Sequence, residues 1–453
     1  MGAVPGGAGG GVLAALCLLL LVWAPLPLAS NRPWSAALLA LGLFGLAALV
    51  GAVGEARRMI PADRPARLAA VLARAVLLWA VVQALPGLGA SRPVWEGFET
   101  LTGRAPWGSL SETPVATAEG ALRLAAYLTA AGLGAALLSD DAVGRRAVRA
   151  LALWITVLSV YALADLATGS YRIGWIDKWI YQDVATGPFV NRNAWCVYAG
   201  IGAAAALLAS GMASGPRGRW LWRGAGVVCL AGALFSESRW GLVSVAAGLS
   251  ALGLVRPGRP PWRHLTVGAL VLAVAPLGLV ATGRARFLDR LDPAYVVGDL
   301  RWDLYRVTLE AVQAAPWTGY GLGSFPVLFH HIRDATLAEA LVFQAHSVPL
   351  ELMAELGVPA ALGLMAAYGL LVVRAAWVAR CTGAPMARLG AAAGIMAGGH
   401  ALLDFSLQTP ALAVTVLACL GAAGPLPSAP GCASAPAPSP GPAPRAPTPV
   451  PAP

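Results

Sequence analysis

Seven polar side chains interrupt the apolar runs of this chain at one set of their ends: Arg192, Arg239, Arg301, His346, Glu351, His400 and Asp404. An ionisable group at a bilayer centre costs about 2.5–3.5 kcal/mol on insertion scales, so a cluster of them marks a functional site. A guanidinium offers a planar fork of donors that suits phosphate oxygens. Histidine and carboxylates beside it can move a proton. Together these residue types point to a site for a phosphate-bearing ligand.

Each has a particular setting. Arg192 lies in Gly187-Pro188-Phe189-Val190-Asn191-Arg192-Asn193, at the mouth of an apolar run. Arg239 lies in Ser236-Glu237-Ser238-Arg239-Trp240-Gly241, a tight turn between two runs, with Glu237 at hand as a partner. Arg301 opens an amphipathic segment. An interfacial anchor at Arg192 and a solvated arginine at Arg301 are the plainer alternatives. His346 precedes Ser347, an N-cap for the next helix, with Pro349 in its first turn. Glu351 and Glu355 stand four apart on one face, where like charges repel, so one of them is expected to be protonated or paired to an arginine. His400 and Asp404, also four apart, are expected to form an orienting pair or a helix-locking hydrogen bond. His330 and His331 read as solvated and His264 as interfacial.

The elements that must position these groups are membrane helices. Of 453 residues 58% are hydrophobic and only 12% charged, against roughly a quarter charged in a soluble protein. Runs of 17–25 apolar residues are needed to span. They occur near 11–29, 34–54, 68–90, 119–138, 150–168, 193–213, 221–236, 240–255, 265–283, 347–373, 388–405 and 409–424. The expected fold is therefore an all-α, polytopic transmembrane helix bundle of about twelve spans. Residues 1–30 read as a first span rather than a cleaved signal, because no Lys or Arg precedes the apolar stretch.

The net charge of +10 comes almost entirely from arginine, Lys178 being the only lysine. The loops at 55–67, 139–149, 215–223, 256–264 and 374–388 are short, arginine-rich and alternate along the count, which is what cytoplasmic loops require. Both termini then lie inside and the polar cluster outside. Scattered arginines do not make a nucleic-acid stripe. Loops 91–118, 169–192 and 284–346 face outward. In the longest, residues 299–315 set Leu300, Leu304, Val307 and Ala311 at helical spacing. Pro316 ends that helix, and Gly319, Gly321 and Gly323 follow as a flexible turn. The helix is expected to roof the site.

The six cysteines include no CxxC pair and read as free thiols. Residues 425–453, rich in proline and alanine, are expected to form a disordered tail beyond the 1–424 membrane domain. There is no Walker motif, GxSxG, HExxH or DxD, and the Gly319-x-Gly321-x-Gly323 spacing is not a dinucleotide fingerprint. A site facing outward lacks nucleotide donors, so its substrate must carry its own activation.

Five pieces of the chain resemble the O-antigen ligase and polymerase superfamily of bacterial inner-membrane proteins. They are Phe189-Val190-Asn191-Arg192-Asn193, Ser238-Arg239-x-Gly241, Arg301 with Pro316-x-x-Gly319-x-Gly321-x-Gly323-x-Phe325, Ala345-His346-Ser347 to Glu355-x-Gly357, and His400 to Pro410. They cover roughly residues 187–410, in the family's order. Ser347 departs from the pattern, where asparagine is commoner. The resemblance implies glycosyl transfer with inversion, without metal or other cofactor, from a glycan on a polyprenyl diphosphate at the periplasmic face of the inner membrane. The acceptor is a glycan, lipid A core or a protein. It carries Arg192 and Arg239 over as diphosphate contacts, with Arg301 a third, and His346 beside the acceptor hydroxyl. Glu351 is the other candidate base, and Asn191, Asn193, Glu355, His400 and Asp404 support. Ligase, repeat-unit polymerase and protein glycosylation share this donor chemistry. A transporter of an anionic solute is the reading from another class, although transporters usually bind near the midplane on repeated halves.

Overall fold

The computed structural model describes residues 8–255 apart from 61–62, 89–92 and 105–106, residues 268–269 and 273, and residues 300–427. Most of the expected span at 265–283, the loop at 256–264, the start of the long loop and residues 428–453 of the tail lie outside these.

Where described, the chain is nearly all helix: α1 (Ala8–Trp23), α2 (Pro33–Ala52), α3 (Arg64–Ala84), α4 (Pro93–Thr102), α5 (Pro114–Leu137), α6 (Asp141–Thr168), α7 (Arg192–Gly211), α8 (Pro216–Leu234) and α9 (Arg239–Leu254). After residue 300 come α10 (Arg301–Ala314), α11 (Phe325–Ile332), α12 (Val348–Leu356), α13 (Val358–Thr382), α14 (Pro385–Ala401) and α15 (Pro410–Gly421). A two-stranded antiparallel hairpin, β1 (Arg172–Ile173) with β2 (Ile176–Asp177), sits between α6 and α7. Among the described residues six helices, α2, α3, α5, α6, α7 and α13, are long and apolar enough to cross a membrane. Shorter apolar helices lie at Gly9–Trp23, Arg239–Leu254 and Pro410–Gly421. The chain is an integral membrane protein by these helices.

Small residues let the helices approach closely, as they do when packing rather than hydrophobicity must hold helices together in lipid. Helix α7 is the centre: 89% of its apolar stretch is buried, against 28% for α2. Helices α5 and α15 touch backbone to backbone. A Cβ at Gly134 would stand 2.1 Å from the Ala418 carbonyl oxygen, and one at Gly421 would stand 1.9 Å from that of Ala131.

Three local expectations are corrected. The apolar run 347–373 is not one helix. It breaks at Gly357, whose φ is +80° and whose Cβ would lie 2.3 Å from the Trp317 carbonyl oxygen. Val358 N–H donates to Pro316 at 2.7 Å, so the crossing helix begins there and α12 stays outside it. Gly319, Gly321 and Gly323, expected to be flexible, form a packed turn. Gly321 N–H donates to the Glu355 carbonyl at 2.8 Å and Tyr320 N–H to that of Ala354 at 2.9 Å. A Cβ at Gly319 would collide with the Glu355 backbone at 2.3 Å. Arg374, counted among loop arginines, lies inside α13 and is buried, its Nε donating to Asp63 at 2.9 Å. Asp63 is also the N-cap of α3, accepting from Ala66 N–H at 3.0 Å.

Helices α10 to α12 and the turns between them share a small core of their own, built on Leu304, Val307, Ala311, Phe325, Phe329 and Ala354. Pro316 follows the end of α10 as expected, and Leu304, Val307 and Ala311 face inward, but Leu300 is exposed because it precedes the helix. Cys17, Cys196, Cys229 and Cys419 are free and buried. Cys381, expected as a thiol, is disulfide-bonded, a pairing that no spacing in the sequence marks.

Candidate functional site

Arg192, Arg239 and Arg301 are each the first residue of a helix, α7, α9 and α10 respectively. Local sequence explains two of these starts. Asn191 caps α7 by accepting from Asn193 N–H at 2.6 Å and Ala194 N–H at 3.2 Å. Ser238 caps α9 by accepting from Gly241 N–H at 3.2 Å. The two caps are tied together, since Ser238 Oγ donates to Asn193 Oδ1 at 2.7 Å. Arg192 and Arg239 therefore start from neighbouring helix ends on the same side of the bundle. Both are half-buried, and the Arg192 guanidinium lies over the Tyr181 ring at 5.1 Å from its centroid.

Asp404 joins the remaining groups. Its carboxylate is almost wholly buried and accepts a hydrogen bond from Asn193 Nδ2. Arg301 Nη2 lies 3.7 Å from Asp404 Oδ2, and His346 Nδ1 lies 3.9 Å from the same oxygen. Burial pushes the Asp404 carboxyl up, but His346, then His400 and Arg301, outweigh it and hold it below the ordinary carboxylate value. One carboxylate thus links the start of α7, the start of α10 and the histidine. Around it the positive ends of helix dipoles and guanidinium groups coincide, a setting that favours an anion.

His346 is presented on a left-handed backbone, φ +52°, uncommon for a residue with a side chain. Three contacts hold it there. Tyr305 OH donates to the His346 carbonyl at 2.8 Å, Phe405 meets the imidazole edge-on at 5.1 Å, and Ala345 N–H next door donates to Glu351 Oε2 at 2.6 Å. The side chain keeps 31% of its surface exposed, so it can meet a substrate.

The two glutamates separate the two expected alternatives. Glu351 is buried, with Gln408 Nε2 donating to its Oε1 at 2.7 Å, and Glu355 accepts from Phe325 N–H at 3.0 Å. Among the described residues neither forms an ion pair with arginine. Burial, and then the charge of Glu355, pushes Glu351 well above the ordinary carboxylate value. Burial raises Glu355 likewise. Of the two expected outcomes, the protonated one fits. Both side chains brace loops: Glu351 holds the stretch before His346, and Glu355 holds the start of α11.

The expected His400–Asp404 hydrogen bond on one helix is not formed, because α14 ends at Ala401. His400 Nδ1 instead pairs with Ser406 Oγ at 2.9 Å, which frees Asp404 to turn toward His346 and Arg301. His330 and His331 stand on α11, His331 being 3.8 Å from Glu112. Ser238, Tyr181, Tyr305, Phe405 and Gln408 were not among the expected site residues. Ser238, Phe405 and Gln408 lie inside the motif blocks, which was a usable signal; nothing in the sequence marks Tyr181 or Tyr305.

A helical membrane bundle with its chemistry gathered at one end is the class that this fold and site define. Residues 224–365 match the family model for O-antigen ligase, so this part of the chain is similar to that family. The matched stretch contains Arg239, Arg301, His346, Glu351 and Glu355; Arg192 and Asp404 lie outside it, Asp404 meeting Arg301 directly and Asn193, next to Arg192, accepting from Ser238. No curated protein matches the chain.

Proposed function

We propose that the protein transfers a glycan from a polyprenyl-diphosphate carrier to an acceptor hydroxyl, as an O-antigen ligase does, at the extracytoplasmic face of a bacterial inner membrane. Arg192, Arg239 and Arg301 neutralise the diphosphate, with the helix ends beneath them adding positive potential. His346, oriented by Asp404, takes the acceptor proton. The acceptor oxygen attacks the anomeric carbon as the bond to the phosphate oxygen breaks, the configuration inverts, and the diphosphate leaves with the electron pair. Good leaving-group stabilisation makes a general acid unnecessary. Glu351 acts on His346 through Ala345 rather than on substrate.

The observation that carries this reading is Asp404 standing between Arg301 and His346 while it accepts from Asn193. A guanidinium, which suits phosphate, and an imidazole, which can move a proton, meeting at one carboxylate support this reading. The orientation follows from the arginines massed at the opposite end, which belong on the cytoplasmic side. Transport of an anion is supported less, since these groups sit on helix starts at one end and not near the middle of broken helices. The test is transfer in vitro with purified lipid-linked oligosaccharide and acceptor. His346→Ala should lower the rate by about 10²–10⁴-fold, the usual contribution of a general base, at unchanged abundance. Full activity in that variant would remove the histidine from the mechanism, and labelled solute uptake without covalent product would favour transport.

A further inference from the structure

The end of the bundle remote from His346 holds a cavity of about 1170 Å³. It lies between the last turns of α7 and α9 and the first turns of α6, α8 and α14. Four arginines line it, Arg145, Arg219, Arg223 and Arg388, against one carboxylate, Asp141. Asp141 is already paired with Arg145, and Arg388 Nη2 donates to the Leu252 carbonyl at 3.0 Å. Arg219 and Arg223 stand four apart on one face of α8, so their charges reinforce each other. The Arg223 guanidinium lies 4.8 Å from the centroid of the Trp220 ring, and Trp220 is 67% exposed. The remaining wall is aliphatic, with Leu207, Leu249 and Leu252.

We propose that this cavity binds the headgroup of an anionic phospholipid from the leaflet at that end. Among the described residues Arg219 and Arg223 form no ion pair; arginines concentrated in one cavity favour an anion, and basic pockets between membrane helices are where such headgroups settle. A free phosphate would leave the leucine wall unused. A phospholipid sets its phosphate on Arg219 and Arg223 and its glycerol and first methylenes on the leucines. Trp220 fits the same depth, since tryptophan concentrates at the membrane–water interface. Helices α7, α9 and α14 run from this cavity to Arg192, Arg239 and His400. A bound lipid would therefore fix the far ends of helices that carry the site.

The experiment is native mass spectrometry of the detergent-purified protein, titrated separately with cardiolipin, phosphatidylglycerol, phosphatidylcholine and inorganic phosphate. The two anionic lipids should be retained in preference to phosphatidylcholine, with phosphate alone binding poorly. The double variant Arg219→Gln/Arg223→Gln should weaken cardiolipin roughly thirtyfold, on the scale of two interfacial basic residues, whereas Arg57→Gln/Arg58→Gln should not. Equal retention of phosphatidylcholine, tight binding of phosphate alone, or equal weakening by the Arg57/Arg58 pair would each overturn the proposal. If the Arg219/Arg223 variant fails to fold, Arg223→Gln alone in a thermal-shift assay gives the same decision. Cardiolipin should raise the melting temperature of the wild type distinctly more than that of the variant, and an equal rise in both would contradict the assignment.

Discussion

Arginine is the main cation at both ends of the bundle, yet it is held in two different ways. At the His346 end, Arg192, Arg239 and Arg301 each open a helix and are partly buried, and Arg301 lies 3.7 Å from the buried Asp404 carboxylate. At the far end, outside the cavity, Arg57, Arg58, Arg146 and Arg217 are exposed on short turns and early helical turns. Exposed charges are screened and interchangeable, whereas partly buried ones on capped helix ends have one geometry and a stronger field. The first arrangement suits catalysis and the second suits topology and contact with lipid.

The largest expected effect comes from removing a cation at the His346 end. Arg192→Ala/Arg239→Ala should lower glycan transfer by about 10²–10³-fold or more, as loss of an anion-stabilising donor does, with lipid-linked donor accumulating in cells. Arg57→Ala/Arg58→Ala should leave transfer within about twofold and stability within about 0.5 kcal/mol, as exposed substitutions generally do. Equal losses at both ends would erase the contrast. Next in size, Asp404→Asn should cost about 10²-fold in rate, because it removes the charge that orients His346, at unchanged abundance by immunoblot. Glu351→Gln sharpens the division of labour within the site. The amide oxygen can still accept from Ala345, so transfer should fall only a few-fold; a loss as deep as that of His346→Ala would make Glu351 the base.

The smallest effect concerns pH. Burial raises the Glu355 carboxyl above its ordinary value. The folded state therefore binds the proton more tightly than the unfolded one. Its contribution to stability is full below the ordinary glutamate value and is lost as pH rises through the raised one. Glu355→Gln should flatten the melting temperature against pH across that window, measured in detergent. An unchanged slope would show that Glu355 does not titrate there.

Much of the helix pattern was legible because an apolar run of sufficient length has few other fates in a membrane protein. The breaks were not. Residues 347–373 read as one span, and Gly357 ends the helix only because the Trp317 backbone packs against it. Arg374 read as a loop arginine, since its partner Asp63 is 311 residues away. At the candidate site, the three arginines and His346 were expected from type and position. The Asp404–His346 pairing was not, because it depends on α14 stopping at Ala401 and on Ser406 capturing His400. Periodicity suggested His400 beside Asp404 on one helix, whereas the turn sends His400 to Ser406 and leaves Asp404 3.7 Å from Arg301 and 3.9 Å from His346.

The central claim is that guanidinium groups grip the donor diphosphate while His346 does the proton chemistry. Binding of a labelled polyprenyl-diphosphate glycan to purified variants in nanodiscs separates these roles. His346→Ala should bind donor as the wild type does yet form no product, while Arg192→Ala/Arg239→Ala should lose binding itself. Wild-type donor affinity in the double arginine variant would contradict the account.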